Sequence, residues 1–169
     1  MIQSKSLAAQ RPHARRTEVL VPDFLVGSPA YDYADAFEID LPAAETRSPE
    51  QLFRAALDDA AWLQRWVPVV HRHMLRFRLG PRLSADHILG WRIVSSSPDV
   101  IHLEASGPLI LGVIVGRRTS QSTAIFTTFV FYERRVPACI VWAVAAPLHR
   151  RIAPYLLERG VMTAPTPPL

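Results

Sequence analysis

Six histidines and a single cysteine are the side chains here with the most chemistry to offer. His71 and His73 stand two apart. On a β-strand that spacing puts both rings on one face, where two imidazoles can share a metal. No third ligand follows at close spacing, so a surface strand face beside Arg72 is the better account, and no metal is expected. His149 follows Pro147 in a long apolar helical segment and can point one nitrogen into a cavity. A satisfied helix histidine beside Arg150 and Arg151 is the plainer account of it. Cys139 sits in the run ACIVWAV without a His/Asn partner pattern, so it reads as a small buried hydrophobe. Asp58 and Asp59 read as a helix end, and Glu104 as an outward strand residue within reach of an arginine. No two carboxylates are spaced as an acid/base pair. Ser95–Ser97 is a turn cluster. There is no G-x-S-x-G, no P-loop and no dinucleotide fingerprint. The sequence therefore names no catalytic residue and no cofactor, and it points away from an enzyme.

Composition narrows the class further. The 169 residues suffice for one domain with a sizeable core. The chain is 49% hydrophobic and 20% charged, with a net charge of +4. Lys5 is the only lysine, so the positive charge is almost all arginine. The arginines are scattered, without an aromatic-interleaved basic stripe, so no nucleic-acid partner is expected. One thiol cannot close an internal disulfide, which is compatible with a reducing compartment. The start, MIQSKSLAAQRPHARR, lacks a continuous apolar signal region. The apolar stretch Val136–Leu148 is shorter than the ~20 residues of a membrane span and holds two prolines. A soluble, cytoplasmic protein is expected, with peripheral membrane contact as its closest approach to lipid.

The elements that must position these side chains are legible in order. Residues 1–30 read as a flexible N-terminal arm, 31–162 as one folded domain and 163–169 as a Pro-rich tail. In the arm, Val19–Val21 and Phe24–Val26 are apolar pieces able to dock on the body or add an edge strand. Tyr31–Leu41 alternates as a strand through Tyr33, Phe37, Ile39 and Leu41. Ser48-Pro49-Glu50-Gln51 predicts a helix start with a capping box, and Trp62, Leu63, Trp66 and Val67 predict a second short helix that Pro68 ends or kinks. Residues 70–84 read as a strand with Arg72, Arg76 and Arg78 outward. A meander follows over His87–Val94, Val100–Ser106, Leu109–Arg117 and Thr123–Arg134. Ile101, Leu103 and Ala105 should point inward, and His102 and Glu104 outward.

The last element is a helix from Ala138 to Arg159, with Gly160 as its stop. Val141, Val144, Leu148, Ile152 and Tyr155 form one stripe, and Trp142, Ala146, His149, Ala153 and Leu156 the next. Two adjacent apolar stripes predict a wide buried face. In Thr123–Arg134 both faces are apolar, so the strand's parity is open and its outer face needs a partner. Self-association into a homodimer is one way to supply it.

This order resembles the START-like helix-grip superfamily, also called SRPBCC or polyketide cyclase-like, over about residues 31–160. The segment SPEQLFRAALDDAAWLQRWVP (Ser48–Pro68) looks like the early helix pair of that superfamily. The segments WRIVSSSPDVIHLEASGPL (Trp91–Leu109) and VWAVAAPLHRRIAPYLL (Val141–Leu157) look like a branch of domains of unknown function, which supplies no catalytic residues to carry over. The resemblance implies an α+β fold: a curved antiparallel sheet wrapped around a long C-terminal helix, with two short helices after the first strand. It also implies a small apolar ligand, such as a lipid, fatty acyl group or polyketide, held between sheet and helix. The expected lining is Trp91, Ile93, Leu103, Phe129, Phe131, Trp142 and His149. Phe126 and Tyr132 are further aromatic candidates, and Thr127 or Thr128 can orient a polar head. Two other functions compete: a non-catalytic interaction module using the outer sheet face, and a cyclase/dehydratase in which His149 or Tyr132 moves protons.

Overall fold

The computed structural model describes residues 12–26, 30–58, 61–81 and 84–163. The fold is α+β, as expected. Seven antiparallel strands form one curved, open sheet, and a long C-terminal helix packs on it. In chain order the strands are β1 (Arg15–Thr17), β2 (Tyr33–Asp40), β3 (His87–Ile88), β4 (Trp91–Ser96), β5 (Val100–Ser106), β6 (Ile110–Ser120) and β7 (Thr123–Tyr132). The helices are α1 (Pro49–Asp58), α2 (Ala61–His73) and α3 (Arg135–Met162). The sheet order is β1-β2-β7-β6-β5-β4-β3. The two short helices thus carry the chain from β2 to the far edge, and the meander returns it to pair β7 with β2.

Local chemistry sets several boundaries. At the start of α1 the Gln51 amide donates to Ser48 Oγ (3.3 Å) and the Ser48 amide to Gln51 Oε1 (2.8 Å). These reciprocal bonds satisfy two otherwise orphaned donors. α2 continues past Pro68 to His73, so residues 70–73 are helical and not the strand expected there. Proline withholds only its own N–H, the donor to the carbonyl four residues back, and the residues after it bond in helical register. Two residues apart on a helix differ by about 200°, so His71 and His73 part company: His71 faces inward and His73 is exposed. The expected strand His87–Val94 is a tight hairpin instead. It turns at Leu89 and Gly90, both with positive φ (53° and 85°). The last hairpin's loop is shorter than the expected Arg118–Ser122, since Ser120 already pairs with Thr123.

α3 also differs from its expected form. It runs through Pro147 and Pro154 to Met162, and Gly160 is an inner contact rather than a stop. A Cβ at Gly160 would stand 2.6 Å from the Leu52 carbonyl oxygen of α1. Arg47 bonds the helix's far end, donating to the carbonyls of Val161 (3.3 Å) and Thr163 (2.8 Å). A cation there complements the C-terminal end of the helix dipole. Arg47 also pairs with Glu45. Burial pushes the Glu45 carboxyl up, but the hydrogen bonds and charge of Arg47 outweigh it and hold the group below its ordinary value. Cys139 is exposed on α3, not buried as its apolar neighbours suggested, because the apolar row Val136, Ile140 and Val144 beside it also faces out.

The N-terminal segment answers the question of the outer sheet face. Cross-strand partners share a face. Ala34 pairs with Phe129, and Phe129 with Val113. Phe129, Val113 and Val115 therefore form a cluster on the face away from α3, and Val19 and Leu25 pack onto it. Phe24 stacks on His102 of the same face, with centroids 4.3 Å apart. β1 adds the edge strand, held by Arg15 bonding Glu38 and Asp40. Residues 12–26 are thus a structured layer, and the apolar outer face is covered by the chain's own arm. The tail 164–169 and residues 1–11 lie outside the described residues.

Candidate functional site

The inner face of the sheet carries the opposite parity. Tyr33, Asp35 and Phe37 of β2 stand opposite Val130, Thr128 and Phe126 of β7, and all share the face turned to α3. Next to them β6 presents Ile110, Gly112, Ile114 and Gly116. The two glycines lie four apart and so leave two gaps on one face. A Cβ at Gly112 would meet the Trp91 ring at 2.7 Å, and one at Gly116 the Phe126 ring at 2.5 Å. The missing side chains leave room for these two aromatic rings against the sheet.

Between this face, α2 and α3 lies a cavity of about 330 Å³. Its wall is mostly hydrocarbon and aromatic carbon, interrupted by His71, Thr128 and His149, and no Arg, Lys, Asp or Glu lines it among the described residues. Trp62 and Trp66 of α2 and Leu148 of α3 line it while remaining 53%, 64% and 42% exposed, which puts the mouth between these two helices.

Of the expected lining, Trp91, Leu103, Trp142 and His149 border the cavity. Phe129 and Phe131 do not. The register of β7 turns them to the outer face, where they pack in the cluster under the N-terminal segment. Ile93 is on the inner face, opposite Leu103, but packs against the core beside the cavity and not on its wall. Phe126 lines the cavity and Tyr132 does not; Thr128 does and Thr127 does not. Of the first α3 stripe, Val144 faces solvent, Leu148 sits at the rim and only Ile152 is on the wall proper.

Polar groups converge on this apolar space from two sides. Asp35 is 1% exposed. Its Oδ2 accepts from the Tyr33 hydroxyl at 2.7 Å and its Oδ1 from His149 Nε2 at 3.1 Å. Burial, then the bond to Asp35, raises the Tyr33 hydroxyl well above its ordinary value. Trp142 connects this chain to the wall, 5.1 Å from Tyr33 and 5.6 Å from His149 between ring centroids. On the other side, Trp91 Nε1 donates to His71 Nδ1 at 3.1 Å. Burial and the nearby His149 lower the His71 pKa to about 4, so its imidazole is neutral near pH 7.

An indole N–H is only a donor, so the Nδ1 it meets carries no proton, and the neutral ring holds its hydrogen on Nε2. Asp35, Tyr33 and His71 were absent from the expected site. Asp35 had a legible signal: it has the same strand parity as Tyr33, Phe37 and Ile39, a carboxylate on an otherwise apolar face.

Among the described residues no three His, Cys, Asp or Glu side chains gather as a metal site. Glu104 bonds Arg92 at 3.0 Å. His102 Nε2 lies 3.2 Å from Glu104 Oε1 without hydrogen-bond alignment, and burial lowers the pKa of that imidazole. Of the expected Ser95–Ser97 turn, Ser95 and Ser96 instead extend β4 opposite His102 and Ile101, and Ser97 opens the turn, its Oγ accepting from the Val100 amide. No described helix is long and apolar enough to cross a membrane.

No protein-family model matches the chain, and no curated protein does.

Proposed function

We propose that this protein binds a small hydrophobic molecule, of the lipid, fatty acyl or polyketide-like class, in the cavity between the sheet and α3. The reading places the chain with the lipid carriers of the START-like superfamily. The cavity is the observation that carries it: about 330 Å³ of space walled almost entirely by carbon. Protein interiors pack densely and leave few voids larger than a water molecule. Wall atoms around an empty space forgo dispersion contacts, and an apolar guest restores them. Small-molecule sites run from ~300 to 1,000 Å³ with mostly apolar walls. Burial of the guest contributes about 25 cal/mol per Å² of apolar surface, before association costs.

Native mass spectrometry of the purified protein, alone and with lipid, fatty acyl and polyketide panels, tests the reading. The expected result is one small guest per chain, lost in Ala145→Phe, which puts a ring into the space beside α3. A wild-type cavity that stays empty across all panels overturns it.

A second reading, acid–base chemistry of the cyclase/dehydratase type, draws support from the Tyr33–Asp35–His149 chain. A carboxylate that orients an imidazole at a cavity wall is the arrangement of a general base. On this reading His149→Ala retains a bound reactive chain but no longer converts it; a wild-type protein that returns the chain unchanged excludes it. Exposed Trp62 and Trp66, with Arg65, Arg150 and Arg151 exposed on the same helices, support loading at an anionic membrane surface. A cytoplasmic location fits the single thiol and is proposed with it.

A further inference from the structure

The polar groups of the cavity are unbalanced. Both oxygens of Asp35 are engaged, one by Tyr33 and one by His149. The donors are not. Nδ1 of His71 is taken by Trp91, which leaves the Nε2–H without an acceptor among the described residues. His71 lines the cavity. Trp142, also on the wall, holds a buried indole N–H with no partner among the described residues. Left unpaired, a buried donor such as the Trp142 N–H is costly, and native proteins seldom leave one so. The wall therefore lacks an acceptor. Ionised heads are poorly served: among the described residues the lining has no Arg or Lys to meet a carboxylate and no Asp or Glu to meet an amine. His149, its remaining cationic candidate, is already bonded to Asp35.

We infer that the cavity selects guests whose apolar body carries an uncharged acceptor oxygen (an ester, ketone or lactone carbonyl) and that His71 Nε2–H donates to that oxygen. The inference deepens the binding reading and rests on it. Trp91 is the positioning residue: its indole pins the imidazole in the one tautomer that donates into the cavity. Gly112 matters for the same reason, because a side chain there would displace the Trp91 ring.

The test uses matched eight-carbon probes, octane, methyl heptanoate, octanoate and octylamine, titrated against the intrinsic tryptophan fluorescence of the full chain. Methyl heptanoate should bind about fivefold or more tightly than octane, the worth of one neutral hydrogen bond. Octanoate and octylamine should bind more weakly than the ester. His71→Phe should abolish the preference, so that within that variant the ester binds no more tightly than octane. His71→Gln, which can accept from Trp91 and still donate, should keep the preference. Octane binding without an ester preference, or octanoate binding best, overturns the inference and leaves the cavity reading intact. No binding by any probe overturns both. Nitrogen-15 spectra of the His71 ring give an independent readout if the variants do not fold: the proton belongs on Nε2, and a proton on Nδ1 refutes the assignment.

Discussion

His71 illustrates how much of this site depends on single atoms. Its pKa, lowered from 6.5 to about 4 by burial and by His149, has a consequence for stability. As pH falls through about 6.5 the unfolded chain takes up a proton on this ring before the folded chain does, so folding weakens. The contribution is complete above the unfolded value and is lost progressively down to about 4, on the order of 3 kcal/mol in all. Urea unfolding of wild type and His71→Gln between pH about 7 and about 4 should show a shallower acid decline in the variant. Equal slopes would mean that the imidazole titrates in the folded protein as it does in the open chain. Trp91 is coupled to the same event, since protonation of Nδ1 sets two donors against each other.

At the scale of elements, α3 lies close against α1. Gly160 brings its backbone to the Leu52 carbonyl, where a Cβ would stand at 2.6 Å from a backbone oxygen that cannot swing aside. Gly160→Ala should therefore lower stability by about 1–3 kcal/mol despite alanine's better helix propensity, because the helices must separate. A thermal melt that rises instead would show that the contact yields easily. The same residue marks the edge of what local sequence can say. A glycine near a helix end has two uses, as a stop or as a contact, and only tertiary packing separates them. The capping box at Ser48 was legible because both its partners lie within four residues. The inward set Ile101, Leu103 and Ala105 was legible because strand alternation is local too. The parity of β7 was not, since Phe126, Phe129 and Val130 make both faces apolar and only pairing with β2 decides between them. The hairpin at Leu89-Gly90 hid behind a leucine with positive φ, a residue type that seldom marks a turn. Asp35 is written in the same alternation that marks Tyr33, Phe37 and Ile39 as a strand. Gly112 and Gly116, four apart in a strand, were a written signal for recessed space.

Taken whole, the molecule is a sheet with two differently covered faces, and the covers differ in kind. α3 spans the inner face at a distance and leaves a cavity; residues 19–25 lie directly on the outer one around Val113, Val115 and Phe129. The outer cover is thin. Phe24 remains 46% exposed even while stacked on His102. Its removal should therefore expose a contiguous apolar patch of the kind that drives association. A chain beginning at residue 30 should show a concentration-dependent rise in sedimentation coefficient that the full chain does not, while tryptophan quenching by methyl heptanoate persists. Loss of β1 also removes the Arg15 contacts to Glu38 and Asp40, so Phe24→Ala with Leu25→Ala, which keeps that strand, separates uncovering of the patch from loss of the edge. Association in both variants would assign the arm the role of intramolecular cover. If the double variant stays monomeric and the truncation does not, the exposed edge of β2, rather than the greasy face, is what the arm protects.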